Sequence, residues 1–191
     1  MHKEKVMQVL VQAAIQLLNE SETPEEITSR KIASKAGVNV AMINYCFQSK
    51  DELLKTAIDQ IMQDSAGDIF AASNTNIPPL NRLWNMLWEI CELVVKFRRF
   101  TKIYIPYLLL QSEIEIPNHI LPTIREYYGN KKSEAECRII AYQLISFLQL
   151  IFYRSDSFYR YTGIHLENPS ERKVLLETEF KLLFKEGNTD E

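Results

Sequence analysis

The apolar positions of this chain repeat at helical spacing almost from end to end. Val6, Leu10, Ala13 and Leu17 stand three or four residues apart, and Val9, Ala14 and Leu18 widen the stripe, so a helix is expected over 3–19. A second stripe of Leu53, Leu54, Ala57, Ile58 and Ile61 follows Ser49 and predicts a helix to about Ala72, before a break over Asn74–Pro79. Residues 80–111 carry Leu83, Trp84, Leu87, Trp88, Cys91, Val94, Phe97, Phe100, Tyr104, Tyr107 and Leu108, enough for one or two helices, with Pro106 expected to kink or divide the second part. Glu113–Pro122 reads as a loop plus a helix start, and Ile124–Tyr128 as a short helix. Ser133-Glu134-Ala135-Glu136 is a capping box opening an apolar helix to about Tyr153. Ser155–Glu167 reads as irregular. Asn168, Pro169 and Glu171 then start a last helix to about Lys185, before Gly187. No strand-like alternation, repeat or low-complexity segment occurs, so the fold class is all-α.

The stretch 28–50 is shorter in period and denser in punctuation. Thr28 is a good N-cap, with Ile27 and Ile32 placed as a hydrophobic staple. Thr23-Pro24-Glu25-Glu26 offers a rival start, but a start at Thr28 uses Ile27 as a buried anchor. Ile32, Ala33 and Ala36 give the first short helix an apolar side, and Gly37 ends it. Asn39 can cap a second short helix in which Met42, Ile43 and Phe47 face inward. Helix, glycine-containing turn and helix form a helix-turn-helix pattern.

Charge adds to that pattern. From Thr28 to Lys50 there are four bases (Arg30, Lys31, Lys35, Lys50) and no acid, while the whole chain is −3, so the remainder is −7. A basic island in an acidic protein suits a phosphate-facing surface. Ser49 and Glu52 form a second capping box, which puts Lys50 at the first position of a helix, where a phosphate would satisfy both the lysine and the free N–H groups.

Composition narrows the alternatives. At 191 residues and 46% hydrophobic content the chain can bury a real core, and five glycines are too few for a turn-rich β protein. Cys46, Cys91 and Cys137 are scattered, with no CxxC or Cys/His metal spacing, as expected for a reducing cytoplasm. The N-terminus lacks a signal-peptide pattern, and no run of about 18 apolar residues suggests a membrane span. Nucleotide-binding glycine motifs, HExxH and GxSxG are all missing, His2, His119 and His165 lie far apart, and no cofactor or metal is expected.

Thr28-Ser29-Arg30-Lys31-Ile32-Ala33, Gly37-Val38, Ile43, Tyr45, Phe47, Ser49-Lys50 and Glu52-Leu53 together resemble the DNA-binding domain of the TetR family of bacterial transcriptional regulators. Ala41, Ile43-Asn44 and Cys46 depart from the family's usual residues. The resemblance implies a helix-turn-helix domain over 1–50, with three helices, and a larger helical effector-binding and dimerisation domain over 51–191. It implies DNA contacts from Thr28, Ser29, Arg30, Lys31, Asn39, Val40, Ala41, Asn44, Tyr45 and Lys50. Of these, Arg30 is the long donor suited to guanine, and Val40 and Ala41 offer only apolar contact. A small apolar or aromatic effector would meet Trp84, Trp88, Cys91, Tyr104, Tyr107, His119 and Phe147. Two copies would pair through the last two long helices, with Phe147, Ile151, Leu176, Phe180 and Leu183 near the seam. The expected protein is a cytoplasmic homodimeric repressor, released from a palindromic operator by its effector. The alternatives are a DNA-binding or adaptor protein of the same fold without a small ligand, and an enzyme or carrier using the apolar pocket.

Overall fold

A computed structural model describes residues 3–21, 23, 26–71 and 76–184. His2, part of the rival start at Thr23, the helix end at Ala72, the start of the break at Asn74, and Lys185 and Gly187 lie outside the described residues. The helices are α1 (Lys3–Glu20), α2 (Ser29–Ala36), α3 (Ala41–Phe47), α4 (Lys50–Ala71), α5 (Pro79–Lys96), α6 (Thr101–Leu110), α7 (Ile116–Tyr128), α8 (Glu134–Tyr153), α9 (Ser155–Thr162) and α10 (Pro169–Leu183). Single 3-10 turns cover Arg98–Phe100 and Gly129–Lys131. No strand occurs among the described residues.

The chain divides into two compact units. The first is Met1–Asp68 with Phe97–Gln111; the second is Ile69–Lys96 with Ser112–Glu191. The first unit therefore reaches past residue 50 and takes in most of α4 and all of α6. Its α1 packs on α2 and α3. Its core is the predicted stripe of α1 (Val6, Leu10, Ala14, Leu18) with Ile27, Ile32, Ile43, Leu53, Leu54 and Ile58, each at most 2% exposed. Burying each of the Val, Leu and Ile side chains among these contributes about 1.5–3 kcal/mol.

In the second unit α7 packs on α5 and α8. Leu83, Leu87, Cys91, Ile120, Ile124, Leu144 and Leu176 fill its core. By length and composition α8 could cross a membrane, contrary to the sequence expectation of no such run. Here one face of it, Ile140, Leu144, Leu148 and Ile151, is buried in protein. Two arginines are buried as well, each with a carboxylate partner: Arg82 pairs with Glu126, and Arg172 with Glu92. Arg172 also donates to the Leu166 carbonyl and lies 5.1 Å over the Trp88 ring. A charge so placed needs such partners, because burial without them is costly.

Three expectations are corrected. Pro106 lies inside α6 and does not divide it; the break between the two helices of this stretch falls at the 3-10 turn of Arg98–Phe100. The loop expected from Glu113 ends at Glu115 and the helix start falls at Ile116, but Ile124–Tyr128 is not a separate short helix: it is the end of one helix, α7, running from Ile116. Pro117 is tolerated in its first turn, where an N–H would have no partner. Pro122 breaks one backbone bond, which the buried Ile120, Leu121 and Ile124 offset. Ser155–Thr162 is helical, not irregular; α9 buries no residue and at eight residues is too short for a repeating apolar stripe to be read.

Candidate nucleic-acid interface

The local chemistry that shapes 28–50 is all present. Thr28 Oγ1 accepts from the Lys31 N–H at 3.2 Å and starts α2. Ile32 and Ala33 turn inward. Gly37 adopts a left-handed φ of 65°, which lets its N–H and that of Val38 close on α2 carbonyls; the Val38 bond to Ala33 measures 3.0 Å. Asn39 Oδ1 accepts from the Ala41 N–H at 2.9 Å and its carbonyl from Met42 at 2.9 Å, so Asn39 starts α3 as expected, although Val40 sits at the cap position itself. Ser49 Oγ accepts from the Glu52 N–H at 3.1 Å and starts α4. Glu52 does not complete the box: its carboxylate pairs with Lys55 at 2.6 Å.

These caps fix which side chains face out. On α3, Ile43 and Phe47 are buried, while Ala41, Asn44 and Tyr45 stand at i, i+3 and i+4 on the exposed side, with Val40 just before them. Tyr45 is 65% exposed. On α2, Arg30 and Lys31 are exposed and Ser29 half-buried; Thr28 and Asn39 are exposed around the turn. Lys50 is half-buried at the first residue of α4. All ten residues expected at DNA thus have surface to offer and come from one short run of chain.

Two basic residues change the picture. Lys35 is held by both oxygens of Glu20 at 2.9 Å, at the end of α1. Such an exposed pair is worth about 0–1 kcal/mol, a small cost that a phosphate contact from Lys35 must first meet. Lys3 was not singled out from the sequence. Its Nζ lies 5.3 Å from the Tyr45 ring centre, which brings the start of α1 to the exposed side of α3. A cation–aromatic pair separated by more than forty residues leaves no local signal in a sequence.

A groove of about 510 Å³ lies elsewhere in the same unit, lined by Met7, Gln8, Val11, Gln12, Phe47, Thr56 and Gln60. It has no charged lining residue and shares only Phe47 with the helix-turn-helix.

The residues expected around an effector fall in both units. Tyr104 and Tyr107 belong to the first, with rings 6.3 Å apart. Trp84, Trp88 and Cys91 share a side of α5 in the second. Trp84 meets the Phe180 ring at 5.2 Å, Phe147 meets Phe158 at 6.4 Å, and His119 is on the exposed side of α7. Burial pushes the Cys91 thiol up to about 12, against a smaller opposing pull from Arg172. Of the residues expected at the seam, Ile151 and Leu176 are buried within the chain, Phe180 packs on Trp84 and on Phe184 (5.1 Å), and Phe147 and Leu183 are half-buried. No group of three His, Cys, Asp or Glu able to hold a metal occurs among the described residues.

Residues 10–57, which span this helix-turn-helix and parts of its two flanking helices, match the family model for bacterial regulatory proteins of the tetR family. No curated protein matches the chain as a relative.

Proposed function

We propose, from the premise that this chain belongs to the TetR family and is a DNA-binding transcriptional regulator, that it is a cytoplasmic homodimeric repressor which leaves a palindromic operator when a small apolar or aromatic effector binds. The observation that carries the DNA-facing half is the exposed set on α2 and α3, held outward by the Thr28, Gly37 and Asn39 turns. Arg30 is the base-reading donor, Asn44 and Tyr45 contact bases or backbone, and Lys31 and Lys50 take phosphates. Lys3 joins them through Tyr45.

A single helix-turn-helix reads too few bases for tight specific binding, so two copies are needed. The support for pairing is an uncovered apolar stripe. Ile139, Tyr142, Leu150 and Tyr153 stand along α8 opposite its buried side, and Val174 and Leu182 of α10 are exposed as well. Side chains already covered within the chain leave nothing for a partner. The seam therefore draws on this outer stripe rather than on Ile151 and Leu176. The effector is assigned to the second unit at the α5 side of Trp84, Trp88 and Cys91, where two half-buried indoles offer apolar area beside a charged pair.

The test is selection from random DNA with the full chain. An inverted repeat with half-sites about 34 Å apart, or a multiple, is expected. Enrichment of no sequence would sink the proposal. A thermal-shift screen of small apolar compounds separates the ligand-responsive reading from that of a ligand-free regulator of the same fold.

A further inference from the structure

The side of α5 that carries Trp84 and Trp88 ends at a charge that cores rarely hold. Arg172 of α10 is 1% exposed, and its guanidinium reaches α5. Nη1 donates to the Leu166 carbonyl, and Nη2 donates to Glu92 Oε1. Nε is equally buried and has no hydrogen-bond partner among the described residues. Nε and Nη2 form one edge of a guanidinium, which the two oxygens of a single carboxylate can fill side by side. Glu92 meets only half of that edge, and a buried N–H without an acceptor is costly. The Cys91 thiol does not supply the missing charge, because burial pushes it up to about 12 and it stays protonated at neutral pH. Glu92 is also the looser partner. Its side chain is 42% exposed, so it can turn into water where Arg172 cannot. Trp88 covers the guanidinium at 5.1 Å, and Trp84 stands one helical turn back on α5; both indoles are half-buried. A carboxylate-binding edge thus lies at the end of an aromatic strip.

We infer that the effector is an aromatic carboxylate, whose two oxygens take Nε and Nη2 of Arg172 in place of Glu92 while its ring rests on Trp84 and Trp88. The inference deepens the effector site proposed above and rests on it. The exchange conserves charge. One carboxylate leaves Arg172 for water as another arrives, so the arginine is never buried without a counter-ion. It also gains a bond at Nε that Glu92 does not make. Release of Glu92 unties a bridge between α5 and α10, and α10 carries Val174 and Leu182 of the proposed pairing surface. An uncharged aromatic molecule can occupy the strip but leaves that bridge closed.

Calorimetry on the full chain without DNA compares benzoate, 2-naphthoate and indole-3-acetate, each with its uncharged amide. At least one acid should bind about ten- to a hundredfold more tightly than its amide, the range of a hydrogen bond to a charged group. Glu92→Gln removes the competing carboxylate, so it should tighten that acid about tenfold further and leave the amide unchanged. Arg172→Lys keeps the charge without the fork and should abolish the preference for the acid. If Arg172→Lys fails to fold, the Glu92→Gln result decides. Acid and amide bound alike, or an acid weakened by Glu92→Gln, overturns the carboxylate and leaves the effector site standing. Binding of none of these compounds overturns the inference together with that placing of the effector. On the selected operator the bound acid should release the DNA and its amide should not; an acid that binds without release is no effector and overturns the inference. A chain that binds the acid but selects no DNA overturns the regulator reading and leaves Arg172 a carboxylate site.

Discussion

The outer side of α3 and the outer side of α8 present different things to a partner. α3 shows Ala41, Asn44 and Tyr45, small or hydrogen-bonding groups beside the bases Arg30 and Lys31. α8 shows Ile139, Tyr142, Leu150 and Tyr153, at 63%, 48%, 46% and 41% exposure. The first surface costs nothing in water and gains from a polyanion. The second keeps apolar area in water that only another apolar surface can remove. A helix that is apolar on both sides, like α8, needs a neighbour on each, and the chain supplies one. The difference separates the two roles proposed for them: the surface proposed to read DNA is built from polar caps and charges, the surface proposed for pairing from leftover hydrophobic area.

Breaking the second surface should have the largest effect. Tyr142→Asp with Leu150→Asp should give a monomer in sedimentation while thermal unfolding stays near wild type, since exposed substitutions shift stability by about 0.5 kcal/mol each. Operator affinity should fall about 10²- to 10⁴-fold, the avidity lost when one module must bind alone. A wild-type monomer at micromolar concentration, free and on DNA, would remove the pairing role of α8 and α10.

Changes on the first surface should be smaller and differ among themselves. Arg30→Ala is expected to lose about 1–3 kcal/mol of discrimination between the operator and a single-base variant. Equal loss on both DNAs would make Arg30 a positioning contact only. Smaller still, Lys50→Ala should weaken binding alike on all sequences and lower the salt slope by about one. Lys35→Ala should change that slope less than Lys50→Ala, because Glu20 already holds Lys35. A larger effect at Lys35 than at Lys50 would reverse their ranking as phosphate partners.

How far these surfaces were legible in the sequence follows from the range of the forces behind them. The all-α class, the helix starts at Thr28, Ser133 and Asn168, and the left-handed Gly37 were readable, because each depends on residues within one helical turn. The basic stretch 28–50 followed from composition and the inward Ile43 and Phe47 from the same local rules, whereas the residues set against DNA came from the family resemblance. Pro122 misled, since one missing backbone bond is a local signal and the burial of Ile120, Leu121 and Ile124 that overrides it is not. α9 left no stripe to find. Only the tertiary structure decided which side of α8 and α10 the core takes, because helices apolar all round do not declare a face. It alone brought Lys3 to Tyr45 and Tyr104 to Asp59, and put residues 97–111 in the first unit. Those contacts join residues more than forty positions apart, and packing, not periodicity, selects them.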